Sequence, residues 1–311
     1  MNAIDERLLT RNGLAARQLA ATLLTHEENT RLPRLRDVAE QLGVGNGTVQ
    51  AAFQLLEGVG AIRTVARGHL GTFLVEADRA VLWRLSGMGT LLAAMPLPYS
   101  RRYEGLATGL RTAFEQARTP FAVTFMRGAH DRVAALLEHK VDLVVLSRFA
   151  ADRLMGQHPL ELVADLGPST YVGAHGILVR RGVDPVSHGL RVAVDRSSED
   201  LELLTERAFA GRPDLKWVEA SYMQLPDLFA RGEVDATVWN LDEVQGRMGE
   251  GVDVLPLSDE ILGELSLRNA RAAIVGRAED RPLGVVRQAL DPDLITGIQQ
   301  AVLRGDLIPS Y

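Results

Sequence analysis

Between Arg31 and Leu74 the apolar positions change period twice. Leu35, Val38, Ala39 and Leu42 fall at i, i+3, i+4 and i+7, and Val49, Ala52, Phe53 and Leu56 repeat that spacing. Each set makes one apolar stripe on a helix. Gly43-Val44-Gly45 lies between them, short and free to take positive φ, as a tight helix-to-helix turn requires. Gly58 and Gly60 close the second helix. Ala61–Val65 and Leu70–Val75 then read as two strands around Ala66-Arg67-Gly68-His69. Upstream, Asp5 to His26 reads as mostly helical, with Ala16, Leu19, Ala20, Leu23 and Leu24 on one face and Gly13 as a point where it breaks. Glu27 to Thr30 is a polar loop, and Pro33 starts the next helix. Helix, turn, helix and wing together form a DNA-reading module over residues 1–78.

Residues 79–92 read as a linker, helical around Ala80 to Leu85. An apolar face there suits either dimerisation or packing on its own chain. From Leu91 the pattern becomes α/β. Strands are expected at Leu91–Leu97, Phe121–Met126 and Asp142–Leu146, and helices at Ser100–Gln116 and Ala129–Glu138. A second copy follows: strands Leu190–Val194, Leu215–Glu219 and Asp235–Trp239, with helices Ser198–Phe209 and Tyr222–Ala230. The segments LEHKVDLVVLS and ARGEVDATVWN each end a helix, turn on charged residues and enter a strand through Val-Asp. Asp142 and Asp235 stand 93 positions apart. That self-similarity predicts two βαβ lobes in residues 93–311. Lobe I would take about 93–168 and 265–311, and lobe II about 169–264. Tyr171–Val179 would cross between them, Val254–Leu257 and Ala272–Val275 would return, and helices near Leu283–Ala289 and Leu294–Leu303 would finish lobe I.

Composition narrows the function classes. The chain is 311 residues long, 46% hydrophobic and 24% charged, which suits about two globular domains. It has no cysteine, so disulfides, thiol chemistry and zinc–cysteine sites are excluded. Neither a secretion signal nor a membrane span is read, so a cytoplasmic protein is expected. Net charge is −6, which by itself does not announce a nucleic-acid binder. Locally, Arg31, Arg34, Arg36, Arg63 and Arg67 face only Asp37, Glu40 and Glu57 between Arg31 and Thr72. A basic tip on an acidic body would orient toward DNA.

The second motif helix carries the candidate base readers. Gly47, Gln50, Ala51 and Gln54 lie opposite its apolar stripe, with Asn46 and Thr48 at its N-terminus. Gln can pair with adenine edges, Thr with either base type, and Ala51 can meet a thymine methyl. Phosphate contacts would come from Arg31, Arg34 and Arg36 before the turn and from Arg63 and Arg67 in the wing, where Arg67 and His69 could reach a minor groove. The competing reading is a winged helix used for protein contacts.

LPRLRDVAEQLGVGNGTVQAAFQLLEGVGAI and RGHLGTFL resemble the winged helix-turn-helix of GntR-type bacterial transcription regulators. The RGHLGTFL wing and the later PYSRRYEGLATGL look most like the YhfZ subgroup. Residues 90–305 resemble, in pattern, the type II periplasmic-binding-protein fold that LysR regulators use as an effector domain. These resemblances imply a regulator that binds operator DNA as a homodimer or higher homo-oligomer and takes a small-molecule effector. The fold class expected is therefore α/β, a winged helix-turn-helix followed by a two-lobed domain.

In open parallel sheets ligands lie outside the carboxyl ends of the strands. That rule selects Ser100, Arg101, Arg102, Arg127, Ser147 and Arg148 in one lobe. In the other it selects Arg196, Ser197, Ser198, Ser221, Tyr222, Trp239 and Asn240. Several arginines around one cleft would suit a carboxylate or phosphate. Each residue also has a plainer role: the serines as helix caps, Trp239 as core, Asp142 and Asp235 as turn residues, and His175 as a satisfied core or edge histidine.

Enzymatic classes are poorly served. GVGNG follows a helix rather than a strand, so it is no dinucleotide fingerprint. The aminotransferase domain fused to some GntR-type proteins needs a Schiff-base lysine, and only Lys140 and Lys216 exist, neither with a plausible site around it. No catalytic motif, metal site or cofactor is expected. A C-terminal domain that serves only as an oligomerisation scaffold is the alternative to effector binding. An all-helical or chorismate-lyase-like effector domain and a transport component fit the strands and the repeat less well.

Overall fold

The computed structural model describes residues 10–212, 214–258, 265, 267–278 and 283–311. The chain divides into two compact units. One holds the residues up to Leu91 with Phe114–Phe121 and the helix at 283–289, and the other holds the rest.

In the first unit, α1 (Arg11–Leu23) starts at Thr10, whose hydroxyl accepts from the Gly13 amide at 3.1 Å. Gly13 therefore sits inside the first turn instead of breaking the helix. Ala15, Ala16, Leu19, Ala20 and Leu23 are buried, the stripe that the sequence spacing selects. α2 (Leu35–Leu42) and α3 (Asn46–Gly58) follow. Pro33 lies just ahead of Arg34, which caps α2, so the helix begins two residues later than the proline suggests. Gly43 ends α2 at φ 66°, the left-handed conformation that disfavours a side chain. Strands β1 (Ile62–Ala66) and β2 (Thr72–Ala77) pair antiparallel as the wing, with a register shift at Arg63/Thr64. Arg31 adds a single bridge to Phe73.

The stretch after the wing is a packed helix rather than an extended link. In α4 (Arg79–Ser86) Asp78 caps the N-terminus, accepting from the amides of Ala80 and Val81 at 3.0 and 3.1 Å. Leu82 and Trp83 are fully buried against the unit's own chain, and the Trp83 indole donates to the Gly89 carbonyl at 2.6 Å. No described helix is long and apolar enough to cross a membrane.

The second unit contains two five-stranded sheets. The first has β3 (Leu91–Met95), β4 (Phe121–Phe125), β5 (Leu143–Ser147), β6 (Leu160–Asp165) and β12 (Ala272–Arg277), in the order β4-β3-β5-β12-β6. The other has β7 (His175–Arg180), β8 (Arg191–Val194), β9 (Lys216–Glu219), β10 (Ala236–Asn240) and β11 (Val252–Leu255), in the order β11-β7-β10-β8-β9. Read from the opposite edge, the second order repeats the first, with β12 and β7 antiparallel to their neighbours in each. Helices α5 (Arg101–Gln116), α6 (Ala129–Leu137) and α7 (Arg148–Met155) accompany the first sheet. Helices α8 (Glu199–Ala208) and α9 (Leu225–Ala230) accompany the second. Near the end come α10 (Leu283–Ala289) and α11 (Pro292–Arg304). α10, expected to complete the first lobe, groups instead with the N-terminal unit, where Gln288 accepts from Arg79 at 3.0 Å and donates to the Thr25 carbonyl at 3.1 Å. Helix α7 and strand β6 have no counterpart in the sequence reading.

The internal repeat reaches side-chain level. Asp142 accepts from the Leu92 amide at 2.9 Å and donates its own amide to the Leu92 carbonyl at 2.8 Å. Asp235 does the same with Arg191, at 3.1 and 2.8 Å. Both are turn residues that staple the start of the lobe's third strand to the start of its first. Asp235 is held further by Arg191 and Arg180, at 2.7 and 2.8 Å. The Arg191 guanidinium above all holds its carboxyl well below the usual carboxylate range.

Candidate functional site

The DNA-binding candidates all belong to the first unit. On α3, Val49, Ala52 and Leu56 point into the core, and Asn46, Gly47, Gln50 and Gln54 are exposed. Thr48 and Ala51 are half-buried at the edges of that face. The division follows from the 3.6-residue period: anchoring one stripe fixes the opposite one outward. Arg34 and Arg36 are exposed at the start of α2. Arg31 is exposed with its guanidinium beside Gly71, whose φ of 91° disfavours a side chain.

The wing treats its two arginines differently. Arg63 is paired with Glu76 across the strands, so its charge is already answered. Arg67 lies with its guanidinium 4.4 Å from the centre of the Phe73 ring, an arrangement that orients the cation without neutralising it. His69 is exposed in the short turn at Gly68–Leu70.

The second unit has a cleft at the carboxyl ends of β3, β4, β8, β9 and β10, where the topology rule puts it. Its cavity measures about 60 Å³. Five of the thirteen sequence candidates reach it: Arg127, Ser197, Ser198, Tyr222 and Asn240. Arg127 donates to both oxygens of Asp195, at 3.2 and 3.0 Å, and to Ser197 Oγ at 3.0 Å, and it lies 5.3 Å from the Tyr222 ring centre. Its charge is therefore balanced by Asp195.

The other eight are committed elsewhere. Ser100 caps α5 by accepting from the Tyr103 amide, and Ser147 caps α7 by accepting from the Ala150 amide, each at 3.2 Å. Arg101 turns to the Val302 carbonyl at 2.9 Å. Arg102 makes a two-pronged pair with Asp242, both bonds 2.9 Å. Arg148 bridges Asp152 and Asp165 at 2.8 and 2.9 Å, and Arg196 pairs with Glu202 on the surface. Ser221 Oγ accepts from the Met223 amide at 3.3 Å. Trp239 is core, packed 5.6 Å from Tyr222. A strand-end position selects many residues, and local capping and ion pairs claim most of them before the cleft can.

Five further cavity residues, Tyr99, Tyr103, Arg132, Tyr171 and His175, were not selected by the strand-end rule. Tyr103 and Tyr171 stack edge-on at 5.3 Å, and Tyr99 meets both Tyr103 and Tyr222 at 5.2 and 4.8 Å. Burial pushes the hydroxyls of Tyr99, Tyr103 and Tyr171 up, so they remain neutral hydrogen-bonding groups. Arg132, one turn into α6, is only 3% exposed. It donates to the Met126 carbonyl at 2.8 Å and to the Tyr171 hydroxyl at 3.2 Å, and its Nε has no partner. His175 is buried at the start of β7, its Nδ1 unpartnered, and burial pulls its pKa down. It is not the satisfied histidine of the plainer reading. An unpaired arginine in mid-helix carries no sequence signal, because its environment is made by residues distant in the chain.

Comparison with known proteins agrees with the fold. Residues 78–311 match the family profile of the YhfZ C-terminal domain, and residues 28–74 match a helix-turn-helix domain. The chain is 35% identical to the YhfZ protein of Escherichia coli (strain K12) over 304 residues, covering 97% of this chain and 98% of that protein. The crystal structure of YhfZ from Shigella flexneri is 35% identical, covers 75% of this chain and 98% of its own, and superposes with a TM-score of 0.62. The periplasmic VFT2 domain of Bordetella pertussis BvgS, 16% identical, covers 73% of this chain and 98% of that domain, with a TM-score of 0.51, and shows the periplasmic-binding-protein-like fold.

Proposed function

The chain belongs to the YhfZ family and carries a helix-turn-helix DNA-binding domain, and on that premise we propose a ligand-responsive transcription regulator of the GntR type. One observation carries the DNA reading: α3 buries Val49, Ala52 and Leu56 and leaves Asn46, Gly47, Gln50 and Gln54 exposed beside the basic wing. Base recognition falls to Gln50 and Gln54, helped by Asn46, Thr48 and Ala51 and by the bare backbone at Gly47. Arg31, Arg34, Arg36 and Arg67 contact phosphates, with His69 at the wing tip. Arg63 contributes less, because Glu76 already balances it.

The regulator reads two half-sites as a homodimer, in the cytoplasm, where its operator is. Its effector is a small molecule with a negatively charged group, held in the cleft beside Arg127, Ser197, Tyr222 and Asn240. Lobe closure around the effector changes the spacing of the DNA heads. The protein acts by binding and not by catalysis, and no cofactor takes part.

Selection of random duplex DNA by the purified full chain tests this. An inverted repeat is expected to be enriched. Salt-sensitive background binding alone, from the full chain and from residues 1–78, would reduce the winged helix to a protein-contact module. Enrichment with a cleft that binds no small molecule would leave the C-terminal domain as a scaffold.

A further inference from the structure

We propose that the cleft takes a small amino acid as a zwitterion, its carboxylate on Arg132 and its ammonium group on Asp200. The inference rests on the reading of the cleft as an effector site and names the ligand class. Its starting point is Arg132. A guanidinium that is 97% removed from solvent normally meets a carboxylate, because an isolated buried charge is costly. Arg132 has only a carbonyl and a phenol as partners, one orphaned N–H, and no ion-pair partner among the described residues. It lines the cavity. Every other arginine at this cleft is answered: Arg127 by Asp195, and Arg102, behind it, by Asp242. Among the described arginines that line this cavity, the one without an acid partner thus faces the space between the strand ends.

Asp200 supplies the second charge. It sits in the first turn of α8, in the other lobe, and lines the same cavity. Its Oδ1 accepts from Ser198 Oγ at 2.6 Å and from the Leu201 amide at 3.0 Å, which fixes the carboxylate without neutralising it. Its field reaches Tyr103, Tyr171 and His175, so it bears on the same aromatic floor that Arg132 touches through Tyr171. His175 is kept neutral by burial and adds no cation. A dianion such as phosphate would meet Asp200 as a repulsive partner. A ligand with both a carboxylate and an ammonium group satisfies both residues, and tyrosine faces favour the ammonium end. A cavity of about 60 Å³ limits the side chain to a small one.

Titration calorimetry on the full chain, with each proteinogenic L-amino acid at up to about 5 mM, tests this. One or a few small amino acids are expected to bind. For the best of them the des-amino acid and the carboxamide should each bind more than about tenfold more weakly, a difference of ~1.4 kcal/mol or more. Arg132→Gln should abolish binding of both the amino acid and the des-amino acid. Asp200→Asn should bring the two to equal affinity. Thermal unfolding of both variants, with Arg132→Lys as a charge-retaining control, separates a lost site from a lost fold. The assignment is overturned if no amino acid binds, or if the des-amino acid binds as well as the amino acid. Should acetate or inorganic phosphate bind instead and shift operator affinity, the effector reading survives and the zwitterion fails. Should an amino acid bind with no change in operator affinity, the ligand class stands and the regulatory reading fails.

Discussion

Asp242→Asn is the perturbation whose size the structure fixes best. Asp242 lies just beyond β10 of the second sheet and accepts three hydrogen bonds: from Arg102 Nε and Nη2 and from the Gly173 amide, each 2.9 Å. Both charged side chains are only 12% exposed. Arg102 belongs to α5 of the first lobe and Gly173 to the crossover segment, so a single carboxylate ties three parts of the C-terminal domain. An amide keeps the shape and one acceptor but removes the charge, and it turns an N–H₂ group toward a guanidinium. A hydrogen bond to a charged group contributes about 1.5–3 kcal/mol. Leaving one member of a buried pair uncompensated costs about 3–5 kcal/mol. Partial relief through the Ser169 carbonyl, which also accepts from Arg102, places the expected loss near 3 kcal/mol. For a domain of this size that is roughly 6–12 °C in Tm. Urea unfolding of the full chain followed by circular dichroism measures it, in a cycle with Arg102→Gln and the double variant. A coupling energy of at least about 1 kcal/mol is expected. A loss under about 0.5 kcal/mol, or additive single variants, would refute the tie. Gly173→Ala is a second route to the same break, since its added carbon would collide with Asp242 Oδ1 and Arg102 Nη2.

Three further outcomes are expected. Arg67→Ala should weaken operator binding and reduce the slope of log affinity against log salt by about 0.9, with a smaller change for Arg63→Ala; equal slopes for all three proteins would remove the wing from the phosphate contacts. Gln50→Ala should lose about 1–3 kcal/mol of discrimination at one base pair, read by competition among single-base operator variants, and a uniform loss on every sequence would mean that Gln50 reads no base. Because burial lowers the His175 pKa, the unfolded chain takes up that proton first as pH falls below the ordinary histidine value of 6.5. The stability present above that value is therefore lost on the acid side, and His175→Gln should flatten the loss in unfolding experiments between about pH 8 and about pH 5; an unchanged slope would assign it to other groups.

Periodicity alone determined much of this protein. Stripes at i, i+3, i+4 and i+7 located α2 and α3, because burial of one helix face fixes which residues stay outside, and this made Gln50 and Gln54 legible as surface positions. The Val-Asp repeat located β5 and β10 and both stapling aspartates, because the same backbone turn recurs in both lobes. Tertiary structure decided the rest. α7 and β6 escaped because RFAADRLM and LELVAD are short and lack a clean period. Arg102 and Arg127 look alike in sequence; only the fold brings Asp242 to one and Asp195 to the other. Arg132 is distinguished by having no ion-pair partner among the described residues, a property of its contacts with Met126 and Tyr171 from separate parts of the chain. The chain's pattern states which residues face inward on each element, but whether a buried charge is answered depends on which elements meet.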